Sequence, residues 1–362
     1  MLNFFTRYFF PKEIVIKNGS IQRLKFLKLK KPILFHSSSA EKNGFVEKIK
    51  TMFPEIRLFK LNSNEPKLDQ LNNLEDFSKY DEFIAIGGGS VIDTTKLLLA
   101  KSVSGDLKNI PPFTLKEDIR QKPYFIAIPT TVGSGSESDG VAVFENNFTK
   151  TPIVSDLIVP DLVILDPSVC EGIPDKILLS TAIDAFTHGF ESYHSKLSNE
   201  FSKMLSLVSC KNIINGLDNI FNEENKLPKL EKLLYGSYMA GLAQSTTSVG
   251  MIHAISHVIS PKVNLGHGHI NTIILPQILK FYNHKGVDVD GFSKSIGCED
   301  VEELISIINS FISQNNIELI KSGNISVDSE LINEIKNDMC FKTSPIDICD
   351  EELSNILEEI IE

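Results

Sequence analysis

The sequence predicts two domains, an α/β domain followed by an all-helical domain. At 362 residues the chain is longer than a single hydrophobic core usually supports. Its first part alternates short β-rich runs with helical patterns, which is typical of a parallel sheet with crossover helices. From Pro174 onward, long amphipathic segments of helical period leave little room for strands. We therefore place the α/β domain at residues 1–168 and the helical domain at residues 169–362.

Short apolar runs closed by turn residues predict the strands of the first domain. These strands are expected at residues 14–16, 31–35, 56–59, 82–86, 124–128 and 162–165. One helix is expected at about residues 40–52. Another follows Ser90, where helical periodicity is carried by Val91, Thr94, Thr95, Leu98 and Leu99.

The periodicity of the second domain predicts helices almost without interruption. They are expected at about residues 175–193, 199–216, 229–247, 251–259, 271–281, 301–315 and 329–338. The tail from Asp350 is an acidic amphipathic helix, and its buried stripe would consist of Leu353, Ile356, Leu357 and Ile360.

Composition and charge exclude several kinds of partner. The net charge of -11 argues against a nucleic-acid surface or an anionic membrane. No stretch approaches the ~20 apolar residues that would span a membrane, and Arg7 interrupts the apolar N-terminal run before a signal peptide develops. The five cysteines are scattered without a CxxC pair, which favours free thiols in a reducing compartment. We expect a cytoplasmic protein with neither nucleic acid nor membrane as a partner.

Six of the eight histidines lie between Ala182 and His269, at spacings that can converge on one ion. Residues four apart on a helix share a face, so a carboxylate and several imidazoles can reach one site. This mixed set suits Fe(II) or Zn(II) and is poor for Ca(II) or Mg(II). The alternative is that each helical pair forms an ordinary surface hydrogen bond. The residues concerned are Asp184 and His188, His253 and His257, and the group Gly266, His267, Gly268 and His269.

Two small-residue loops follow predicted strands, and both suit a dinucleotide. Gly87-Gly88-Gly89-Ser90 lies between a strand and a helix, where glycines and free N–H groups let a pyrophosphate approach the backbone. Thr130 to Glu137 supplies hydroxyls and glycines for a second contact at a neighbouring strand end. The alternatives are a tight turn and an irregular connection with a helix cap. Asp93 and Lys96 form an exposed pair unless a cofactor lies beside them.

Taken together, these motifs resemble the iron-containing (group III) alcohol dehydrogenases. The matching segments are residues 87–96, 129–137 and 150–155, and the series Asp-x3-His…His-x3-His-x9-His that starts at Asp184. The resemblance implies a Rossmann-like first domain and an all-helical second domain, as in the dehydroquinate synthase-like fold, with the active site in the cleft between them. It also implies a metal-dependent, NAD(P)-linked alcohol dehydrogenase or aldehyde reductase that acts on a small molecule, including sugar-derived or phosphonate substrates. A homodimer or higher homo-oligomer is expected.

The resemblance also assigns roles by matching positions. The metal, Fe(II) or Zn(II), would be held by Asp184, His188, His253 and His267. His257 would either support these ligands from behind or act in a proton relay, and we assign it as the catalytic residue. NAD(H) or NADP(H) would be bound by Ser37, Gly87, Gly88, Gly89, Ser90, Asp93, Thr130, Thr131 and Ser134, and its ribose by Lys150.

Departures from the family pattern bear on the cofactor and the pocket. Ser37 stands where many NAD-using members carry Asp, and losing that carboxylate removes the repulsion of a 2'-phosphate, which leans toward NADPH or dual use. Ser134 replaces the usual Thr and keeps its hydroxyl. His269 either lines the substrate pocket or sits in the core with a hydrogen bond. His36, His194 and His284 are expected to be ordinary surface or structural residues.

Two other functions compete with a dehydrogenase. A lyase of the dehydroquinate synthase type would want basic residues for a phosphorylated substrate, yet the helical half contains no arginine. A non-catalytic relative would have no reason to keep all four candidate ligands.

Overall fold

The computed structural model describes residues 8–61, 66–105, 107, 122–146, 149–321 and 325–361. The chain divides into two compact units. The first consists of Met1–Gly172 with Asn225–Tyr238, and the second of Ile173–Glu224 with Met239–Glu362. The first unit thus includes a segment from the middle of the helical half, which periodicity alone does not report. The assignment of dinucleotide binding to the first predicted domain and of metal binding to the second stays a prediction.

A parallel sheet forms the centre of the first unit, as predicted. The strands in the described residues are β1 (Glu13–Ile16), β2 (Pro32–His36), β3 (Arg57–Lys60), β4 (Glu82–Gly87), β5 (Tyr124–Pro129), β6 (Val141–Asn146), β7 (Thr149–Val154) and β8 (Leu162–Leu165). Six of them form the parallel sheet in the order β1-β8-β5-β4-β2-β3, and β6 pairs with β7 in a separate antiparallel hairpin. Strands β2, β4 and β8 are buried along their whole length, as expected for a sheet covered on both faces.

The strand order creates a switch point between β2 and β4. The chain passes from β2 outward to β3 on one side, and then returns to β4 on the other. Ligands of open α/β sheets bind beyond the carboxyl ends of the strands at such a point. Ser37 follows β2 there, and its backbone N–H donates to the carbonyl of Ile86 over 3.1 Å. Gly87 pairs with Pro129, so the loops after β4 and β5 start side by side.

Helices make up most of the second unit, which confirms the all-helical prediction. The first unit contains α1 (Ser38–Lys42), α2 (Phe45–Met52), α3 (Leu68–Asn72) and α4 (Gly89–Ser104). The remaining helices are α5 (Asp175–His194), α6 (Glu200–Leu217), α7 (Leu227–Thr247), α8 (Met251–Val263), α9 (His267–His284), α10 (Val289–Ile296), α11 (Val301–Gln314), α12 (Ser329–Asn337) and α13 (Asp350–Glu358). No helix in the described part of the chain is long and apolar enough to cross a bilayer.

Several boundaries differ from those that periodicity predicts. The expected helix at residues 40–52 is two helices, because Gly44 adopts a left-handed φ of 79° and ends the first. The hairpin of β6 and β7 and the short helix α10 were not predicted. Helix α9 starts at His267 rather than near residue 271. Gly268 allows this start, since a Cβ there would lie 2.5 Å from the carbonyl oxygen of Ser180 on α5.

Lys96 is not part of an exposed pair with Asp93, which corrects the sequence-based expectation. It is fully buried, and its Nζ lies 3.0 Å from Asp139 Oδ1 and 2.7 Å from the carbonyl oxygen of Val141. Burial raises the pKa of Asp139, and Lys96 offsets only part of that rise. Burial also raises the pKa of Glu137 to about 7 and that of Asp93 to about 6. Lys96 is thus the cation that partly neutralises a buried acidic cluster.

We expect Lys96→Met to destabilise the protein by about 3–5 kcal/mol, because it leaves a buried carboxylate without its partner. The double variant Lys96→Met/Asp139→Asn should recover part of the loss. The free energy of unfolding in urea measures both effects.

Lys60→Met is the matched control, since Lys60 pairs with Glu41 over 2.7 Å at the surface, where solvent screens the pair, and should contribute far less to stability. Equal losses for Lys96→Met and Lys60→Met would contradict the assigned role of Lys96.

Candidate metal and nucleotide sites

Helix α5 presents Asp184, His188 and Glu191 on one face, at positions i, i+4 and i+7. Asp175 lies in the first turn, where a negative charge interacts favourably with the helix dipole. His188 and Glu191 are buried, while the side chain of Asp184 is 17% exposed. A buried helix with two acidic groups and an imidazole needs partners for them, and α8 supplies one.

Three of the four predicted metal ligands converge. Donor atoms of Asp184, His188 and His253 all lie within 4.8 Å of one another. The rings of His188 and His253 stack with centroids 4.4 Å apart, and His253 Nε2 lies 3.5 Å from Asp184 Oδ1. This arrangement brings together the carboxylate and imidazole donors that Fe(II) and Zn(II) accept.

The side-chain amide of Asn271 contacts two of these candidate ligands. Its buried amide nitrogen lies 2.7 Å from Asp184 Oδ1 and 3.2 Å from His253 Nε2. A single positively charged group at the position of this nitrogen can therefore contact both Asp184 Oδ1 and His253 Nε2. The donor set and its convergence fit a divalent transition metal.

Glu191 fixes the orientation of His253, a role that the sequence-based assignment missed. His253 Nδ1–H donates to Glu191 Oε2 over 2.6 Å, and the backbone N–H of Ile252 donates to Oε1, also over 2.6 Å. A Cβ at Gly250 would lie 2.9 Å from Glu191 Oε1, so the backbone approaches the carboxylate closely there. Because Nδ1 carries the proton, Nε2 is the nitrogen that can bind a metal. The spacing of Glu191 from Asp184 and His188 was the available signal.

The charges of the cluster support one another. Burial by itself would raise the pKa of Asp184, but His188 and His253 hold it well below its usual range. Burial by itself would lower the pKa of His253, but Glu191 and Asp184 raise it to about 9. The site therefore favours positive charge between its two carboxylates. A metal ion would supply that charge and release protons on binding.

His267 lies beside the cluster but outside its tightest group. Its ring centroid is 5.3 Å from that of His257, and its charge contributes to lowering the pKa of Asp184. His267 is the first residue of α9, two positions before His269. Its role as the fourth ligand stays a prediction.

His269 occupies a different position from His267. It is half-buried, and its Nε2–H donates to the carbonyl oxygen of Glu318 over 3.1 Å. It lines a cavity of about 260 Å³ together with Lys176 and Asn316. His36 is buried and His194 is half-buried, and both are bonded to backbone carbonyls, as expected of structural residues.

His257 is held by Asp338, which the sequence did not indicate. His257 Nδ1 lies 3.2 Å from Asp338 Oδ2, and the two side chains are 23% and 20% exposed. Although burial alone would raise the pKa of Asp338, the hydrogen bond from His257 lowers it overall. Their separation of 81 positions along the chain leaves no local signal in the sequence. Cys340 lies close enough that donor atoms of all three residues are within 4.8 Å of one another.

The two loops predicted to bind the dinucleotide pack against each other. A Cβ at Gly88 would lie 3.2 Å from Thr131 Oγ1, and one at Gly89 would collide with Ser134 Oγ. The backbone N–H of Thr130 donates to the carbonyl of Gly87 over 2.9 Å. Gly89 therefore makes room for Ser134 of the neighbouring loop, and Gly88 lies close to Thr131 of the same loop. Ser90 lies in the first turn of α4, where backbone N–H groups favour an anion.

Three further residues were predicted to bind the nucleotide: Asp93, Ser37 and Lys150. Asp93 Oδ1 accepts the hydroxyl proton of Ser136, and its Oδ2 lies 3.4 Å from the backbone nitrogen of Val143. Asp93 therefore ties the second loop to α4. Ser37 is buried and accepts the backbone N–H of Ala40 over 3.1 Å as the N-cap of α1. Lys150 lies in β7, and its side chain is outside the described part of the structure. Cofactor contacts by these three residues stay predictions.

Family models match nearly the whole chain. The model described as "Iron-containing alcohol dehydrogenase" matches residues 11–167, and "Fe-containing alcohol dehydrogenase family, C-terminal" matches residues 178–361. The chain belongs to the iron-containing alcohol dehydrogenase family. As a member it is an oxidoreductase that acts on CH–OH groups with a nicotinamide cofactor, which confirms the resemblance found in the sequence.

Individual members of the family show how wide the similarity is. The NADPH-dependent butanol dehydrogenase of Clostridium saccharobutylicum is 27% identical, over 97% of each chain. The 4-hydroxybutyrate dehydrogenase of Clostridium kluyveri is 30% identical, over 72% of each chain. The sulfoacetaldehyde reductase of Bifidobacterium kashiwanohense, solved with NAD+, superposes with a TM-score of 0.86 at 21% identity, over 99% of each chain. The last comparison shows the shared fold.

We expect Glu191→Gln to weaken metal binding by roughly 10–100-fold, because an amide no longer fixes the proton of His253 on Nδ1. Competition with a chromogenic chelator measures the affinity directly. Glu82→Gln is a suitable control, since Glu82 is also buried but binds the backbone N–H groups of Lys30 and Lys31. An unchanged affinity in Glu191→Gln would contradict the assigned role.

Proposed function

We propose that this protein reduces a small aldehyde, or oxidises the corresponding alcohol, with NADP(H) or NAD(H) and one divalent metal ion. The convergence of Asp184, His188 and His253 carries the proposal. Apolar residues would pack this buried position better, so packing alone does not explain the donor set. Family membership supplies the reaction class. The lyase alternative gains no support, since both family models describe dehydrogenases.

We propose Asp184, His188, His253 and His267 as the ligands of Fe(II) or Zn(II). When bound, the ion would polarise the substrate oxygen while the nicotinamide exchanges the hydride. Asp184 supplies the negative charge of the ligand set, and Glu191 keeps His253 in the metal-binding tautomer. His257 adjoins the ligands, with its ring 5.3 Å from that of His267, and is proposed to move the hydroxyl proton.

The substrate is proposed to be a short primary alcohol or its aldehyde. The relatives named for butanol, 4-hydroxybutyrate and sulfoacetaldehyde support this class. A panel of these compounds, with sugar-derived and phosphonate aldehydes added, tests it through absorbance at 340 nm. No turnover with any member, by protein loaded with Fe(II) or Zn(II), would reject the proposed function.

A homo-oligomer and a cytoplasmic location also stay proposals; the five cysteines, all free, support a reducing compartment.

We expect His267→Ala to lose both its metal and its turnover, because a site with three ligands retains a metal far less tightly than one with four. Elemental analysis after gel filtration measures the metal content. His269→Ala is the matched control on the same helix and should keep the metal, since His269 binds Glu318 instead. A fully active, metal-replete His267→Ala variant would reject its role as a ligand.

We expect Ser37→Asp to shift the nucleotide preference toward NAD(H). A carboxylate there binds ribose hydroxyls and repels a 2'-phosphate. The fold should survive, because Asp is as good an N-cap as Ser. The ratio of kcat/KM for NADH to that for NADPH should rise at least about tenfold, or about 1.4 kcal/mol. Ser39→Asp, two residues further on, controls for added charge alone. An unchanged ratio would place the 2'-position of the ribose away from Ser37.

A further inference from the structure

The carboxylate of Asp338 serves two different partners with its two oxygens. Oδ1 accepts the backbone N–H of Cys340 over 2.8 Å, which caps the short helical turn of residues 339–343. Oδ2 faces His257 Nδ1 at 3.2 Å. An ionised carboxylate only accepts hydrogen bonds, so the proton of this pair belongs to Nδ1. The other ring nitrogen, Nε2, is then the one that can accept a proton.

The segment that carries Asp338 is anchored to the body of the helical unit. Thr343 Oγ1 donates to the carbonyl of Val249, just before α8 starts. The carbonyl of Thr343 accepts the backbone N–H of Lys196 over 2.9 Å. Asp338 itself ends α12, since its N–H donates to the carbonyl of Ile335. The carboxylate is therefore held in place by contacts on both sides, as an orienting group requires.

We infer that Asp338 is a positioning residue for His257, holding the ring proton on Nδ1 so that Nε2 takes the proton of the substrate. This role rests on the proposed function. During alcohol oxidation the O–H proton would pass to His257 Nε2, and a bound NAD(P)+ would accept the hydride from the carbon that carries that oxygen. The products are the carbonyl compound, NAD(P)H and an imidazolium, which Asp338 stabilises until the proton reaches solvent. Asp338 itself stays ionised throughout.

Partial exposure of the pair suits this task. The side chain of His257 is 23% exposed, whereas that of the proposed ligand His253 is 5% exposed and that of its partner Glu191 is 1% exposed. A proton relay must exchange with water, and a metal ligand must not. The two histidines lie four residues apart on the same helix, α8. Their different exposure therefore comes from how deeply each side chain lies and from which carboxylate it contacts.

A purely structural role for Asp338, as the cap of residues 339–343, makes a different prediction. In Asp338→Asn the oxygen would stay on Cys340 N–H, because an amide NH2 group there would meet another donor. The NH2 group would then face His257 Nδ1 and convert it to an acceptor. The variant therefore keeps the cap and inverts the tautomer, which separates the two roles.

The first experiment measures kinetics in a double-mutant cycle of Asp338→Asn and His257→Gln. We expect Asp338→Asn to lower kcat about 10–100-fold, with KM changed less than about threefold, as for loss of general acid–base assistance. It should cause no further loss in the His257→Gln background. Asp328→Asn is the matched control, since Asp328 caps α12 with no histidine beside it and should leave kcat unchanged. Equal effects of Asp338→Asn in both backgrounds, or none in either, would overturn the inference.

The second experiment does not depend on activity, so it separates this inference from the proposed function. Nitrogen NMR of histidine-labelled, zinc-loaded protein reports the tautomer of His257, assigned from the spectrum of His257→Gln. We expect the proton on Nδ1 in the unmodified protein and on Nε2 in Asp338→Asn. A proton on Nε2 in the unmodified protein would overturn the inference. So would a second zinc equivalent that is lost in Asp338→Asn, because Nδ1 would then be a ligand in a His257, Asp338 and Cys340 site.

Discussion

The buried hydrogen bond between Glu191 and His253 is the contact on which the candidate metal site depends. It joins α5 to α8 and decides which nitrogen of His253 faces Asp184. An imidazole stacked on His188 at this depth needs a hydrogen-bond acceptor, because an unpartnered N–H would cost about 1–3 kcal/mol, and Glu191 supplies that acceptor. The close backbone approach at Gly250 is part of the same arrangement, since a side chain there would press on Glu191.

Helix α8 uses the pairing of a histidine with a carboxylate twice, at different depths. His253 pairs with Glu191 in the interior, and His257 pairs with Asp338 where water reaches it. One turn of helix separates the two rings, whose centroids are 6.2 Å apart. Spacing in the sequence makes these histidines equivalent. Burial and the partner carboxylate distinguish the proposed metal ligand, His253, from the proposed proton carrier, His257, and both of those properties come from tertiary contacts.

The local sequence pattern predicted those features of the structure that residues close together in the sequence determine. The six sheet strands, the helical second half and the shared face of Asp184 and His188 all follow from periodicity, which is a local property. Asp338 lay beyond such an argument because it reaches His257 across 81 residues of sequence. Lys96 was misplaced at the surface for the same reason: its partner Asp139 lies on the far side of the loop after β5. The start of α9 at His267 required knowing that Gly268 packs on α5.

In the first unit, several contacts tie the loop after β5 to helix α4. Ser136 is tied to Asp93 on α4, and Asp139 is tied to the buried Lys96 one turn further along the same helix. Gly89 lets Ser134 approach the start of that helix. These contacts hold the second loop against the first. A nucleotide that binds the two loops would then lose little free energy to ordering the protein, which is the advantage of a preorganised site.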